Sequence, residues 1–382
     1  MEKIYLNEYI LSYKKITNML DTLCIKNKNI IKEYIGKTAF GYDILSFTIG
    51  KGNNHVLLIG TTHGLEIITT YFVIEFMLTV LNDEKLQKKY TFHFIPVLNP
   101  EGYIISSSNV LKNIYGLNEY EFEMLSTTYL KEYNKCDELS KKGEKITNGF
   151  YCILNSNLNN IDNFYLRKNV ERILRICNLS ENVLPIWAAN GLGVDQNSNS
   201  IHKFKDMKYL RNCQKCAALR YNIIPVTIPS PMSYPGEFTF DRSLENLSLY
   251  RYISKLYNNC NLKYIFSYHS TGGEIYGYPE DCEYNKLKNY KENMEMYSYY
   301  TGYKIINEKL KYGVMDYYRK YLGNTICLTI ELSKYNGNPI GPFCNLIEFK
   351  NDILNNKKAL IKTINWNNKE KDTVLLINIV FI

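Results

Sequence analysis

The sequence lacks the long apolar runs that a membrane protein needs. None of its apolar stretches reaches the roughly 18 residues of a membrane-spanning helix. The first residues, MEKIYLNEYILSYKKITNML, mix charged and apolar residues at helical spacing and contain no unbroken apolar core of the kind found in signal peptides. These absences predict a cytoplasmic protein without a membrane span.

A disulfide framework and a concentrated basic region are also missing. The 10 cysteines are scattered without regular spacing in a chain of 382 residues, which is long enough to bury a stable core without cross-links. The formal net charge of +8 is spread along the chain and forms no arginine-rich block or basic stripe. The composition therefore predicts reduced cysteines and no nucleic-acid partner.

Strand and helix patterns alternate along the chain, which is typical of an α/β sheet. GYDILSFTIG and HVLLIG, separated by KGNN, predict a hairpin, LEIITTYFVIEFMLTVL predicts a buried helix, and YTFHFIPVLNPEGY predicts a strand ended by an Asn-Pro turn. We expect one domain over residues 1–382, with a helix at 4–23 and an insertion or lid at about 109–160. The predicted architecture is a mixed, twisted β-sheet flanked by helices on both faces.

Two metal-binding residue types lie three positions apart in GTTHGLE, where a predicted strand meets a predicted helix. His63 and Glu66 would lie on one face of a helix or tight turn and can share one ion. A catalytic zinc takes three protein ligands, so a third must come from another element. His269 follows the apolar run YIFSY and precedes STGG, which places it at a strand end, where ligands collect in open α/β sheets.

A metal hydrolase also needs a carboxylate that moves protons and is not a ligand. Glu331 fits this role, because it lies near the end of the apolar run NTICLTIEL, where burial would raise its pKa. Each residue taken singly also has an ordinary explanation: a chance H-x-x-E, a hydrogen-bonded core histidine, or a glutamate paired with a lysine. Their joint placement at three strand-to-loop junctions favours a metal site.

Six motifs, in order and over residues from about 30 to 365 apart from the stretch near 109–160, resemble the zinc metallocarboxypeptidases of the carboxypeptidase A type. They are the hairpin IGKTAFGYDILSFTIG, the H-x-x-E of GTTHGLE, the turn FIPVLNPEGY, the loop GVDQNSN, the strand of YHSTGG and the strand TIEL. WAANGLGVDQNSN, YPGEF, SYHSTGGEIYGYP and TGYKI with YGVMDYY are most similar to the bacterial γ-D-glutamyl-diaminopimelate peptidases, which cut cell-wall peptides.

The resemblance implies one zinc ion per chain, with His63, Glu66 and His269 as ligands and Glu331 as the base that activates water. It implies hydrolysis of an amide bond in a short anionic peptide, namely the γ-D-Glu to diaminopimelate bond of a peptidoglycan stem. The partner would be a peptide or muropeptide substrate. By the same resemblance, Asn197 is an expected substrate-binding residue.

Two positions depart from the family pattern by losing a positive charge. Ser198 stands where carboxypeptidases have the arginine that reads a C-terminal carboxylate, and a serine cannot make that bidentate contact. Ala188 stands where relatives have an Arg or Lys that stabilises the oxyanion. Arg167, Lys168 and Arg220 are candidate substitutes.

The family's mobile tyrosine has no clear counterpart. Strict spacing places Glu308 there, with Tyr303 and Tyr312 on either side, and Tyr312 is the expected substrate-binding residue. Two alternative functions stay open: a conventional metallocarboxypeptidase that releases C-terminal residues, and a non-catalytic zinc- or peptide-binding relative. Ala188 and Ser198 favour the second alternative, whereas the intact ligand set and general base oppose it.

Overall fold

A computed structural model of the chain describes residues 11–109, 156–199, 228–238, 240, 243–270, 272–279, 284–306, 313–333 and 346–366. Most of the expected insertion at 109–160 lies outside these residues, as do the first seven positions of the expected helix at 4–23. Three of the residues singled out above also lie outside them: Arg220, Glu308 and Tyr312.

One mixed sheet forms the centre of the described structure. Its strands are β1 (Ile31–Lys37), β2 (Asp43–Gly50), β3 (Asn54–Ile59), β4 (Tyr90–Ile95), β5 (Asn261–Ser270), β6 (Glu274–Tyr276), β7 (Lys304–Ile305) and β8 (Ile326–Leu332), in the spatial order β1-β2-β4-β3-β5-β8-β6-β7. β3 pairs in parallel with β4 and β5, β5 with β8, and β6 with β7. The pairs β1 with β2, β2 with β4, and β6 with β8 are antiparallel.

Helices lie on both faces of the sheet, which confirms the predicted fold class. Within the described ranges they are α1 (Tyr13–Lys26), α2 (Ile67–Leu81), α3 (Glu84–Lys89), α4 (Pro100–Ser107), α5 (Phe164–Ile176), α6 (Leu244–Asn259), α7 (Tyr284–Thr301), α8 (Val314–Tyr321) and α9 (Leu346–Ile364). Short polar residues begin several of them: the side chains of Ser12, Asn99 and Asn163 accept backbone N–H groups of the first turns of α1, α4 and α5. None of the helices described here is long and apolar enough to cross a membrane.

Alternating side chains divide the core between the two faces of the sheet. In β5, Phe266 and Tyr268 belong to the larger core, which also contains residues of α1, α2, α5, α7 and α9. Ile265 belongs to the smaller core, which contains residues of α6 and α8. Because strand side chains alternate between faces, His269 and Glu331 project from the α6 and α8 side.

The predicted hairpin between GYDILSFTIG and HVLLIG is wrong. β2 and β3 do not pair, because β4 lies between them, antiparallel to β2 and parallel to β3. The crossover through α2 returns β4 beside β3, and the KGNN segment passes over the start of β4. A Cβ atom on Gly52 would lie 2.1 Å from the Lys89 carbonyl carbon, so this passage fits only a glycine. The hairpin partner of β2 is β1, within IGKTAFGYDILSFTIG.

Candidate metal centre

The corner between β3 and α2 packs between the segment that contains Gly102 and the segment that contains Ala188. His63 lies in this corner, and Glu66 is the N-cap residue of α2. The Gly64 N–H donates to the Ala188 carbonyl oxygen at 3.0 Å. A Cβ atom on Gly64 would lie 2.2 Å from the Gly102 carbonyl carbon, so only a glycine fits between the segments. The close packing restricts movement of the two side chains.

Asn99 of the Asn-Pro turn supports the same corner. Its backbone N–H donates to the Thr61 carbonyl oxygen at 2.9 Å, and its side-chain amide donates to the carbonyl oxygens of Thr62 at 3.2 Å and Ala189 at 3.1 Å. Thr61 has a φ of 44°, which is unfavourable for a β-branched residue. The Asn99 hydrogen bonds help to stabilise that conformation.

Three side chains converge above the corner with the donor atoms of a zinc site. His63 Nδ1 lies 2.8 Å from Glu66 Oε1, and His269 Nδ1 lies 3.1 Å from Glu66 Oε2. One ligand atom from each residue lies within 4.8 Å of the others. Glu66 is buried, yet its Oε2 atom accepts no well-formed hydrogen bond from the described residues. A buried carboxylate oxygen of this kind needs a compensating cation, and two imidazoles with one carboxylate are ligands that zinc accepts.

The charges of this cluster shift the pKa values of its side chains. Burial lowers the pKa of His63, but the charge of Glu66 and the contact with Asp195 hold it well above its ordinary value. Burial raises the pKa of Glu66, and the charges of His63 and His269 outweigh that effect and lower it to about 2. The Glu66 carboxylate is therefore anionic where a cation would bind.

Asp195 is a site residue that the sequence reasoning missed. Its Oδ1 atom lies 3.2 Å from His63 Nε2 and accepts the backbone N–H of Asn197 at 2.9 Å. The Ser198 hydroxyl donates to Asp195 Oδ2 at 2.9 Å. A carboxylate on the outer nitrogen of a metal-binding histidine fixes the ring orientation. Asp195 is the one acidic residue of GVDQNSN, which is the signal that would have found it.

Glu331 lies beside His269, because the two residues pair in register across β5 and β8. Its side chain is partly exposed. Burial of most of the side chain raises the pKa of Glu331, and the negative charge of Glu66 raises it further. The charge of His63 has the opposite effect but is weaker, so the pKa lies well above its ordinary value. A carboxyl group with a raised pKa therefore stands next to the three-residue cluster.

Asn197 and Ser198 lie between the cluster and the first turn of α8. Asn197 Oδ1 accepts the Val314 N–H at 3.2 Å, and the Asn197 side-chain nitrogen makes no hydrogen bond to the described residues. The Ser198 hydroxyl donates its hydrogen bond to Asp195. Neither residue brings a positive charge to the place where the family pattern has arginine.

The described candidate substitutes for that positive charge have other contacts. Arg167 donates to the Ile161 carbonyl oxygen at 3.5 Å, and Lys168 pairs with Glu171 at 2.9 Å on an exposed part of α5. Ala188 has no described contact with either of them. The missing charge is therefore not replaced by Arg167 or Lys168 in this conformation.

Tyr303 is a packing residue. It is buried, and its hydroxyl donates to Asp352 while accepting from the Ser333 N–H at 2.9 Å and from Asn356 Nδ2 at 2.9 Å. These bonds tie α9 to the residue that follows β8. A tyrosine held in this way does not supply a mobile hydroxyl, and Tyr312 lies outside the described residues.

Comparisons with known proteins agree on one family. Residues 16–334 match the family model described as zinc carboxypeptidase. Among curated protein sequences, none matches the chain.

Solved structures of similar fold include the following three. Bovine thrombin-activatable fibrinolysis inhibitor, solved with a tick carboxypeptidase inhibitor, shares 15% identity at a TM-score of 0.55, covering 94% of this chain and 99% of that one. The carboxypeptidase A of Helicoverpa armigera shares 15% at 0.54, covering 92% and 72%. A metallo-carboxypeptidase from Burkholderia cenocepacia shares 11% at 0.54, covering 93% and 70%. At these identities the likeness is one of fold.

Proposed function

Because the chain belongs to the zinc carboxypeptidase family of metallopeptidases, which are hydrolases, we propose that His63, Glu66 and His269 bind one zinc ion and that Glu331 is the general base. The observation that carries this proposal is the convergence of the three side chains within 4.8 Å, with Glu331 in register beside His269. The substrate of such a site is a peptide.

The residues of the chain have separate roles in this reaction. When bound, zinc would polarise the scissile carbonyl group and lower the pKa of water toward neutrality. Glu331 accepts a proton from the attacking water and passes it to the leaving amine. Asp195 holds the His63 ring so that Nδ1 faces Glu66. Asn197 offers its side-chain nitrogen to the substrate.

We propose further that the substrate is a short anionic peptide cleaved at the γ-D-glutamyl-diaminopimelate bond of a peptidoglycan stem. The motifs WAANGLGVDQNSN and YPGEF support this narrower reading. Ser198 supports it as well, because its hydroxyl binds Asp195 and brings no charge that could pair with a C-terminal carboxylate. The cytoplasmic location stays a prediction.

Neither alternative has comparable support. A conventional carboxypeptidase needs the bidentate cation that Ser198 cannot provide. A non-catalytic relative would have no need of a base, yet Glu331 lies beside the cluster in register with His269. The buried Glu66 oxygen and the contact between Asp195 and His63 support a functional metal site over a non-catalytic one.

The test compares kcat/KM of zinc-loaded protein for an L-Ala-γ-D-Glu-diaminopimelate peptide and for a plain L-dipeptide blocked only at its N-terminus. We expect clear preference for the first and little release of single amino acids from ordinary L-peptides, because a C-terminal carboxylate would lose its water without gaining a matched partner. Preference for the dipeptide would favour the conventional carboxypeptidase. No turnover of either would favour the non-catalytic relative.

A further inference from the structure

A row of side chains crosses three strands on the metal-centre face of the sheet. His269 on β5 pairs in register with Glu331 on β8, and Glu331 pairs in register with Glu274 on β6. Directly paired residues on neighbouring strands project to the same face. The row therefore runs from a proposed zinc ligand through the proposed base to a second glutamate that the mechanism above does not use.

Glu274 and Glu331 are close neighbours. Glu274 Cγ and Glu331 Cβ each lie 3.4 Å from the position that a Cβ atom on Gly272 would take. The hydroxyl of Tyr276 donates a hydrogen bond to Glu274 Oε2, which restrains the carboxylate. Glu274 is partly exposed, so its carboxylate can be reached by a bound molecule.

Glu274 has no ion-pair partner among the lysines and arginines that the structure describes. Lys304 on β7 stands in register with it, but the exposed Lys304 side chain forms no ion pair with Glu274. Three other positions of the site, Ala188, Asn197 and Ser198, carry no charge. Glu274 thus lies beside the proposed base without a described lysine or arginine paired to it.

Arg319 packs on the same face and does not balance that charge. Its guanidinium pairs with Asp316 at 2.7 Å and donates to the Cys327 carbonyl oxygen at 2.9 Å, the Tyr276 carbonyl oxygen at 3.0 Å and Thr329 Oγ1 at 2.6 Å. The side chain is buried, and each of its three nitrogens makes at least one of these contacts.

We propose that Glu274 is a specificity-determining residue that binds a terminal ammonium group on the side chain of the substrate residue following the scissile bond. This inference rests on the proposed peptidase function. β5 and β6 lie two strand spacings apart, about 10 Å. That span suits an amine at the end of an extended side chain, as in lysine or a diamino acid, and exceeds the distance between an α-amino group and its own carbonyl. A half-buried ammonium–carboxylate contact is charge-assisted and discriminates strongly against a neutral group.

The test uses two peptides, L-Ala-γ-D-Glu-L-Lys and the same peptide with its lysine side chain acetylated. Zinc-loaded wild type should cleave the free-amine peptide with kcat/KM at least about tenfold higher. Glu274→Gln should abolish that preference, so that the ratio of kcat/KM for the two peptides falls to about one, because the amide cannot pair with an ammonium group. Glu84→Gln, at a side chain that is 85% exposed on α3, is the matched control and should keep the preference. A preference that survives in Glu274→Gln overturns the proposal.

Calorimetric binding separates this proposal from the proposed function. If wild type cleaves neither peptide, the peptidase proposal for this substrate class fails, and binding of the two peptides to zinc-loaded protein decides the role of Glu274. Tighter binding of the free-amine peptide that is lost in Glu274→Gln supports the ammonium site. Equal binding of both peptides to wild type overturns it.

Discussion

Two pairs of histidines, one at the carboxyl edge of the sheet and one within it, have opposite chemistry. His63 and His269 lie at the carboxyl ends of β3 and β5, where Glu66 contacts both rings. His55 and His93 lie on β3 and β4, with His55 Nδ1 2.8 Å from His93 Nε2 and their ring centroids 5.1 Å apart. The first pair is bound to carboxylates, and the second pair is bound to hydroxyl groups and to itself.

Neighbouring groups shift the pKa values of His63 and His93 in opposite directions. His93 Nδ1 lies 3.0 Å from both the Thr48 and the Tyr252 hydroxyl groups, which offer no negative charge. Burial first, and then the charges of His55 and Lys255, lower the pKa of His93 to about 3. At the other pair, Glu66 and Asp195 outweigh burial and raise the pKa of His63. The same side chain is thus a neutral structural group at one place and a candidate metal ligand at the other.

The largest expected effect is the loss of turnover in Glu331→Gln. The amide keeps the shape of the side chain but cannot accept a proton, so kcat should fall by at least about 10²-fold while zinc stays bound. Tyr252→Phe removes a hydroxyl group that contacts His93 and is the control. Folded Tyr252→Phe should have a kcat near that of wild type. Turnover of Glu331→Gln within tenfold of wild type would show that Glu331 is structural.

A smaller effect is expected at the residue behind His63. Asp195→Asn should lower zinc affinity about 10- to 100-fold, because the ring loses the carboxylate that orients it. Competition with a chelator of known affinity measures this change. Thr48→Ala removes the equivalent hydrogen-bond partner of His93 and should leave zinc affinity unchanged. Equal affinities in all three proteins would mean that Asp195 does not act through His63.

The buried pair should make stability depend on pH. The pKa of His93 lies below its ordinary value of 6.5, at about 3, so the unfolded chain binds a proton in that window and the folded chain does not. This contribution to stability is complete above pH 6.5 and is lost as the pH falls toward 3. We expect it to lower the unfolding free energy by about 2 kcal/mol between pH 7.5 and pH 5.

His93→Gln isolates this dependence. Urea unfolding at both pH values, with a chelator present, should give a difference between pH 7.5 and pH 5 that is smaller by about 2 kcal/mol than in wild type. His55→Gln is the paired control and should change the difference less, because His55 is only partly buried. An unchanged difference in His93→Gln would contradict the burial of a neutral imidazole.

The smallest effect is expected at the ion pair that borders His93. Lys255 Nζ lies 2.5 Å from Glu33 Oε1, with side chains 55% and 38% exposed. Glu33→Gln should change the unfolding free energy by only about 0–1 kcal/mol, because exposed pairs are weakened by water and salt. A larger loss, measured by urea unfolding at pH 7.5, would mean that this pair helps to fix α6 on the sheet.

Local patterns in the sequence predicted much of the fold. The apolar run of α2 and the strands around YTFHFI and TICLTIEL follow from residue spacing alone. The H-x-x-E corner was also readable, because His63 and Glu66 are close in sequence. The structure places His269 and Glu331 near the ends of two adjacent strands beside that corner. The apolar runs that precede them in the sequence predicted these strand ends.

The sequence did not reveal the strand order or the contacts that depend on pairing between residues far apart in the chain. The insertion of β4 between β2 and β3 depends on a crossover, whereas the KGNN segment alone favours a hairpin. Glu274 meets Glu331 only through the register of β6 and β8. His55 and His93 are 38 positions apart, and Asp195 is 132 positions from His63, so no local spacing connects them.

The zinc content of two matched histidine variants tests the central claim most directly. Wild type, His63→Gln and His93→Gln are each loaded with zinc, passed through a desalting column and measured by elemental analysis. We predict about one zinc per chain in wild type and in His93→Gln, and almost none in His63→Gln, because a catalytic site left with two ligands loses most of its affinity. Zinc retained by His63→Gln, or lost from folded His93→Gln, would contradict the assignment of the metal to the carboxylate-bound pair.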